Sequence, residues 1–240
     1  VFMYSCFMKK LSSSSGLESI RTDVPVRLIK GRGAASQITH RFARELRQGF
    51  DDGWGKSEQD GGSEVGEEVK TWCTHLEWER AKSALSRHES PDLPFHLGLN
   101  PYRGCEHGCI YCYARPTHGY LGYSPGLDFE TRLIAKQNLP EVLRAELSRS
   151  SHVAAPIMLG SVTDCYQPVE REVGLTRRVI EVLAQARHPF SIVTKGTGIE
   201  RDLDLLVPLA QQHLVAVYVT LTTLQPELAR QLEPRAAAPH

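Results

Sequence analysis

The chain has 240 residues, and its 28 basic and 28 acidic residues give a formal net charge of zero at neutral pH. A chain of this length can bury a full hydrophobic core, but it has no global field that would draw it to nucleic acid or to an anionic membrane. No stretch approaches the ~20 consecutive apolar residues of a membrane span, so the sequence predicts a cytoplasmic protein without a membrane partner.

The first seventy residues are predicted to form an arm and a linker. Residues 1–50 are the predicted N-terminal arm, which starts extended near residue 24 and contains a predicted short helix over 36–47. Residues 51–70 are acidic and Gly-rich, which is the composition of a flexible linker. The arm also carries several basic side chains that could meet phosphates, although the following acidic residues favour a solvated face. The organised core is expected to span 71–240.

The core begins with a mixed segment and continues as alternating strands and helices. Residues 71–95 combine a possible strand with a helical piece, and Pro91 and Pro94 mark a boundary at their end. Predicted strands lie at 96–102, 155–164, 189–196 and 214–224, and predicted helices at 139–150, 173–187, 201–212 and from 226 onward. Four βα units in succession predict an α/β fold, either a parallel barrel or a doubly wound sheet, with ligands at the carboxyl ends of the strands.

Three of the six cysteines fall within eight residues, in a CxxxCxxC pattern formed by Cys105, Cys109 and Cys112. Such a tight cluster indicates metal chemistry, because disulfide frameworks spread their cysteines through a small secreted chain. Thiolates are soft ligands that suit iron–sulfur clusters or zinc. An all-protein cluster usually takes four cysteines, so three would leave one iron open to an exogenous molecule. The loop therefore predicts a site of catalytic type.

A structural zinc site is the alternative interpretation of the same loop. His107 or His118 would then supply the fourth ligand of a Cys₃His site. Zinc loops usually pair their cysteines as two CxxC units or combine one CxxC with histidines. The second class of function that stays open is therefore a non-catalytic iron–sulfur or zinc-binding protein.

The loop follows a strand and has Tyr111 just before its last cysteine, and in this it resembles the radical S-adenosylmethionine superfamily. The resemblance implies a [4Fe-4S] cluster held by Cys105, Cys109 and Cys112, with S-adenosylmethionine bound at the open iron. In that superfamily, one-electron reduction cleaves the cofactor to a 5′-deoxyadenosyl radical that abstracts hydrogen, so the chain is expected to be an enzyme. A reductant such as flavodoxin or ferredoxin would be its partner.

Further segments are similar to the bacterial branch related to spore photoproduct lyase. They are KGRGA, SPDLPF, NPYRGCEHGCIYCYARPTH, YLGYSPGLDFET, TDCYQPVERE and LEPRA. This resemblance implies a partial (β/α)₆ TIM-like barrel with an N-terminal arm. The substrate is unknown, and DNA is suggested only by analogy with the lyase. The last two barrel strands have no counterpart before His240, so the core is expected to be truncated after about four βα units. Its final strand would then expose an unpaired edge.

The resemblance also implies a set of cofactor contacts. In place of the superfamily's GGE motif the sequence has GSVTD, so Thr163 and Asp164 would bind the cofactor's ammonium group, with a helix N-cap as the alternative. Lys195 would contact the carboxylate or ribose, or else be solvated at its strand end. Thr220 would make a similar contact, or simply serve as a β-branched strand residue. Tyr111 would lie against the adenine edge, or only pack the loop.

The hydrogen-donor residue of the reaction is not assigned by the sequence. In spore photoproduct lyase a cysteine near the end of the second strand donates a hydrogen atom, and that position falls at Ser161 here. Cys165 is close in sequence and could substitute for it. A buried, inert thiol is the alternative for Cys165.

Overall fold

A computed structural model of the chain describes residues 31–36, 38 and 73–239. The predicted linker over 51–70 lies outside the described residues, as does most of the arm, including nearly all of the predicted helix over 36–47. In the described part of the chain, no helix is both long enough and apolar enough to cross a membrane.

Eight strands and six α-helices make up the described core. The strands are β1 (His75–Glu79), β2 (Ser86–Arg87), β3 (Leu97–Leu99), β4 (Tyr102–Arg103), β5 (Arg132–Lys136), β6 (Ile157–Leu159), β7 (Phe190–Thr194) and β8 (Val215–Val219). The α-helices are α1 (Asp128–Thr131), α2 (Leu139–Leu147), α3 (Glu170–Val173), α4 (Leu175–Gln185), α5 (Leu203–Gln211) and α6 (Pro226–Leu232). Two 3₁₀ helices, Arg115–Leu121 and Thr197–Asp202, complete the set of helices.

The larger sheet has the strand order β2-β3-β6-β7-β8. Strands β3, β6, β7 and β8 are mutually parallel, whereas β2 pairs antiparallel with β3 at one edge. These four parallel strands confirm the four predicted ones. Their order follows the chain without reversal, and within the described residues the sheet is open, with β2 and β8 as its edges. The carboxyl ends of the parallel strands therefore lie along one edge of the molecule.

Helices α2, α4 and α5 pack against the larger sheet and enclose the main core. Helix α4 shows why: Leu175, Val179 and Leu183 recur every four residues, and all three are fully buried. Apolar residues at this spacing form one stripe on a helix, and burial of the stripe stabilises the packed helix. Helix α4 contacts both α2 and α5. The predicted helices in these three regions are confirmed, and so is the start of a helix at residue 226.

A second, smaller sheet with the order β1-β5-β4 was not predicted as a sheet, although β1 confirms the possible strand within residues 71–95. Strand β1 runs parallel to β5, and β4 pairs antiparallel with β5 on its other side. Strand β4 immediately precedes the cysteine loop, so this sheet fixes where the loop begins. Its pairings join segments that lie far apart in the sequence, and the pattern of a single segment does not reveal them.

The predicted helical piece within residues 71–95 is wrong. From residue 73 onward this segment contains β1, β2 and turns, with no helix. Its backbone donors are satisfied by distant side chains: Ala84 N and Leu85 N each donate to the Glu146 carboxylate at 3.1 Å, and Ala81 N donates to Asn138 Oδ1 at 2.7 Å. A backbone whose N–H groups are held by other elements in this way does not need helical hydrogen bonds.

Candidate functional site

The cysteine loop begins at Gly104, directly after β4. Gly104 has a positive φ of 78°, and a side chain there would lie 2.8 Å from Phe129 O and from Leu133. A residue other than glycine would therefore be both strained and crowded at this position. The next residue is fixed as well, because Cys105 N donates to Phe129 O at 2.9 Å.

The three thiols of the loop lie in a mostly buried, partly apolar environment. Cys105 and Cys109 are each only 8% exposed, and Cys112 is half-buried. Cys105 and Cys112 belong to one small apolar cluster with Ala114 and Phe129. The five cysteines in the described part of the chain are all free thiols, so none of the three is used in a disulfide there.

Burial makes two of these thiols poor acids. Burial raises the pKa of Cys105 well above its usual value, and it raises the pKa of Cys109 to about 12, with a further increase from the nearby negative charge of Glu233. Both side chains are therefore protonated at neutral pH in the bare loop. A metal centre would have to displace these protons, because the thiolate is the form that binds metal.

Both histidines of the zinc alternative are buried and contact residues other than the three cysteines. The ring of His118 packs against Phe129, and its Nε2 lies 2.9 Å from Arg132 O. His107 is buried, with Nδ1 3.3 Å from Asp164 Oδ2 but without hydrogen-bond geometry. Among the described residues, no three His, Cys, Asp or Glu side chains converge tightly enough to hold a single metal ion. The arrangement does not favour a Cys₃His zinc site.

Asp164 is brought next to the cysteine loop, and the chain itself satisfies its carboxylate. It accepts hydrogen bonds from Tyr166 N at 2.8 Å, from Thr194 Oγ1 at 2.8 Å and from Lys195 N at 2.7 Å. Burial alone would raise the pKa of Asp164, but the contact with His107 and these backbone donors hold it below its usual value. Its negative charge acts on the Cys105 thiol. Asp164 is thus an ionised carboxylate that joins the ends of β6 and β7 beside the loop.

The two threonines predicted to contact the cofactor are placed differently. Thr163 is buried, and its hydroxyl donates to Tyr102 O at 2.8 Å, which ties β6 to the start of the cysteine loop. Thr220 follows β8, is exposed, and is held through its backbone N to Thr194 O at 2.9 Å. Thr163 therefore helps to position the start of the cysteine loop, whereas the side chain of Thr220 is exposed at the end of the edge strand β8.

Lys195 and Tyr111 are brought together by a residue that the sequence analysis did not single out. Lys195 Nζ lies 2.7 Å from Glu233 Oε1 and 5.7 Å from the centre of the Tyr111 ring. The Tyr111 hydroxyl donates to Glu233 as well, and Thr222 Oγ1 donates to the same carboxylate at 2.5 Å. Glu233 is 7% exposed and follows α6, within the LEPRA segment. Lys195 and Glu233 together form the charged wall of the site next to Cys109.

Two more buried carboxylates near the loop, Glu130 and Glu106, were also missed. Glu130 Oε1 accepts from Arg115 at 2.6 Å, and Glu106 accepts from Arg235 at 2.9 Å. Both carboxylates and both arginines belong to segments that resemble the branch related to spore photoproduct lyase. Their pairing, however, joins residues up to 129 apart in sequence. The only available signal was therefore the presence of charged residues inside otherwise apolar motifs.

Cys165 does not lie at the site. It is fully buried in the main core beside Gly160, and burial raises the pKa of its thiol well above the usual value. Ser161, which stands at the lyase's hydrogen-donor position, is half-buried, and its carbonyl accepts a hydrogen bond from the Tyr113 hydroxyl. The structure supports the inert interpretation of Cys165.

The residues present fit an iron–sulfur cluster with one open corner. Three soft donors come from one short loop, and among the described residues no fourth thiol joins them, since Cys165 lies in the core and Cys73 is exposed. The pair Asp164 and Lys195 lies beside the thiols, so opposite charges are available for the ammonium and carboxylate of an amino acid. In this structure Lys195 is paired with Glu233. A carboxylate ligand would therefore have to displace Glu233 in order to bind Lys195.

These features define an α/β protein with a loop of three thiols at the carboxyl edge of a parallel sheet. Residues 99–238 match the model of the radical SAM superfamily, and the chain belongs to that superfamily. Its members typically use a [4Fe-4S] cluster and S-adenosylmethionine, and both the loop and its flanking strands lie within the matched range.

The chain is similar to curated proteins from several organisms. It is 45% identical over 159 residues to an uncharacterised protein of Mycobacterium tuberculosis, a match that covers 66% of this chain and 47% of the relative. It is 29% identical over 155 residues to an uncharacterised protein of Methanocaldococcus jannaschii, with 65% and 54% covered. The chain thus spans about half the length of the curated relatives it matches. No solved structure matches it.

Proposed function

We propose that this chain is the cluster-bearing part of a radical S-adenosylmethionine enzyme, built as a portion of a (β/α)₆ barrel that acts in the cytoplasm. The observation that carries the proposal is the set of three cysteines on one loop, two of them buried, beside the charged pair Lys195 and Glu233. When bound, the cluster and S-adenosylmethionine supply a one-electron cleavage that yields a radical able to abstract hydrogen from a substrate.

The residues of the chain would bind and orient the two cofactors. Cys105, Cys109 and Cys112 would hold the cluster, and their limited exposure would keep water away from it. Lys195 would hold the carboxylate of S-adenosylmethionine once Glu233 releases it. Asp164 is ionised and fixes the backbone of Lys195, so it would act on the cofactor through that residue as well as through its charge. Tyr111, half-exposed beside Lys195, would lie against the adenine.

The electron would come from a protein reductant such as a flavodoxin or ferredoxin. The buried thiols of the loop need a reducing compartment to stay free, which agrees with a cytoplasmic site of action. The substrate class is open, and a nucleic-acid substrate rests only on the resemblance to spore photoproduct lyase.

Anaerobic reconstitution with iron and sulfide, followed by electron paramagnetic resonance of the reduced protein, tests this function. We expect a [4Fe-4S]⁺ signal that changes shape when S-adenosylmethionine is added, because the cofactor would ligate the open iron. Cys109→Ala should lose the signal. Cys73→Ala should keep it, since Cys73 is exposed and lies outside the loop.

Two results would contradict the proposal. A signal that ignores S-adenosylmethionine would indicate a non-catalytic iron–sulfur protein. Zinc bound in place of any cluster would indicate a structural metal site.

A further inference from the structure

The described part of the arm, residues 31–36 and 38, lies against the cysteine loop and is called the strap here. It makes three hydrogen bonds with one residue, two from its backbone and one from the Arg32 side chain. Gly33 N donates to Glu130 Oε2 at 3.0 Å, Ala34 N donates to Glu130 Oε1 at 2.9 Å, and Arg32 Nη1 donates to Glu130 O at 2.7 Å. The strap is therefore docked by directional hydrogen bonds to a single point in the core.

Glu130 connects the strap to a cysteine of the loop. Its side chain is fully buried and is paired with Arg115, whose Nη2 lies 2.6 Å from Oε1. Arg115 in turn donates to Cys109 O from Nε at 3.1 Å and from Nη2 at 2.8 Å. Burial of a carboxylate costs free energy unless its oxygens accept hydrogen bonds. The Glu130 carboxylate has three described donors, and the strap supplies two of them. Loss of the strap would therefore leave Arg115 as the remaining described donor to the Glu130 carboxylate, and Arg115 is the residue that also binds Cys109 O.

The strap also touches the loop backbone directly. A side chain at Gly33 would collide with the carbonyl oxygen of Gly108 and lie 3.1 Å from Ile110. Gly108 has a positive φ of 69°, and a side chain there would lie 3.0 Å from Glu130 Oε2. Two glycines at this crossing allow the two backbones to approach within contact distance. The contact falls next to Cys109, in the middle of the cysteine loop.

A second connection runs from the strap to the other buried carboxylate. Arg32 Nη2 donates to Thr74 Oγ1 at 3.0 Å, and Thr74 Oγ1 donates to Glu106 Oε1 at 2.5 Å. Glu106 follows Cys105 and also accepts from Val169 N at 2.7 Å. The strap thus reaches two buried carboxylates, Glu106 next to Cys105 and Glu130, which is linked to Cys109 through Arg115.

We propose that the strap positions the cysteine loop for cluster binding, with Gly33 and Ala34 as positioning residues that act on Cys109 through Glu130, Arg115 and Gly108. This inference rests on the proposed function, because it assumes that the loop holds a cluster. Residues that support metal ligands from outside typically change metal affinity about 10–100-fold when they are altered.

Gly33→Ala tests the proposal, with Ser36→Ala as the matched control in the same strap. The side chain of Ser36 is exposed, and the described contact of that residue is made by its carbonyl oxygen, which Ala retains. Each full-length protein is reconstituted anaerobically and then exposed to an iron chelator. We expect Gly33→Ala to lose its cluster about 10–100-fold faster than the wild type and to show a changed paramagnetic signal. Ser36→Ala should match the wild type.

A second variant, Glu130→Gln, keeps the shape of the side chain and removes its charge. We expect the same acceleration of cluster loss, because the amide cannot pair with Arg115 and both strap N–H groups. Thermal melting of the cluster-free proteins separates positioning from folding. If the variants melt earlier but, while folded, keep the wild-type cluster lifetime and signal, the proposal is wrong. If the wild type binds no cluster, the proposed function fails instead.

Discussion

At the scale of single residues, a pair of histidines far from the cysteine loop makes the fold sensitive to acid. His188 precedes β7, and its Nε2 lies 2.9 Å from Nε2 of His152. Two imidazoles this close cannot both be protonated without repulsion. Burial lowers the pKa of His188 below its usual value; the hydrogen bond to Pro189 O opposes this effect and the neighbouring His152 adds to it. The folded state therefore favours a neutral His188.

We predict that stability falls as the pH drops through about 6.5 toward the lowered pKa of His188, because the unfolded chain then binds a proton more readily. His188→Gln should reduce this dependence, since the amide is neutral at every pH and can still meet His152. Denaturation midpoints of both proteins at about pH 7.5 and about pH 5.5 check the prediction. His118, whose pKa burial also lowers, should leave some dependence in the variant. An unchanged slope in His188→Gln would contradict this account.

Whether the role of a site residue could be predicted depends on how far away in the sequence its partners lie. The three cysteines were predictable because their spacing alone indicates a metal loop. The roles of Glu130 and Glu233 were not, because Glu130 meets Gly33 across 97 residues and Glu233 meets Tyr111 across 122. A carboxylate inside an apolar motif looks like a surface residue until its partners are known. Asp164 lies between these cases: its place beside the loop was expected, but its saturation by backbone donors was not.

At the scale of secondary structure, the elements with strong apolar periodicity were predicted, whereas β2, β4, β5 and the short helices α1 and α3 were missed. Strands β3, β6, β7 and β8 are apolar runs between polar turns, and α2, α4 and α5 each carry one buried stripe. Strands β1, β4 and β5 form a sheet through pairing between distant segments, which the sequence of each strand alone does not indicate. The segment around Ala84 has helix-forming residues, but its backbone donors are bound by Glu146.

Helix α4 is expected to be a main source of stability, because it packs on the larger sheet between α2 and α5. Leu183 is fully buried within it. Leu183→Ala should lower the free energy of unfolding by about 2–5 kcal/mol, since it removes apolar contacts and leaves a cavity. Arg178→Ala, at an exposed position of the same helix, should change it by less than about 0.5 kcal/mol. Urea denaturation of the cluster-free proteins measures both. Equal effects of the two substitutions would contradict the assigned packing.

At the scale of the whole molecule, β8 is the exposed edge of the larger sheet. Within the described residues it pairs with β7 alone. Val217, Tyr218 and Val219 are 41%, 55% and 66% exposed. Unpaired backbone groups on an apolar edge strand are a template for pairing with another chain. The net charge of zero adds no repulsion between molecules to oppose this.

We predict that Val219→Lys slows the aggregation of this chain. The charge would disfavour edge-to-edge pairing, and the loss of one exposed valine should leave the melting temperature nearly unchanged. Gln211→Lys, at an exposed position of α5, adds the same charge away from the edge and serves as the control. Light scattering at increasing concentration measures the effect. If both variants aggregate equally slowly, net charge rather than the edge strand is responsible.

The cysteine loop is fastened by segments that a ribosome makes at very different times. The strap is complete before the loop emerges, but Glu233, which bonds to Tyr111, comes 122 residues after it. At about 5–20 residues per second, synthesis of that stretch takes roughly 6–24 s. During this interval the loop lacks the contacts that Glu233 and Arg235 supply. We therefore expect cluster loading to follow synthesis of residue 233, and the nascent loop to be the stage most exposed to oxygen and to competing metals.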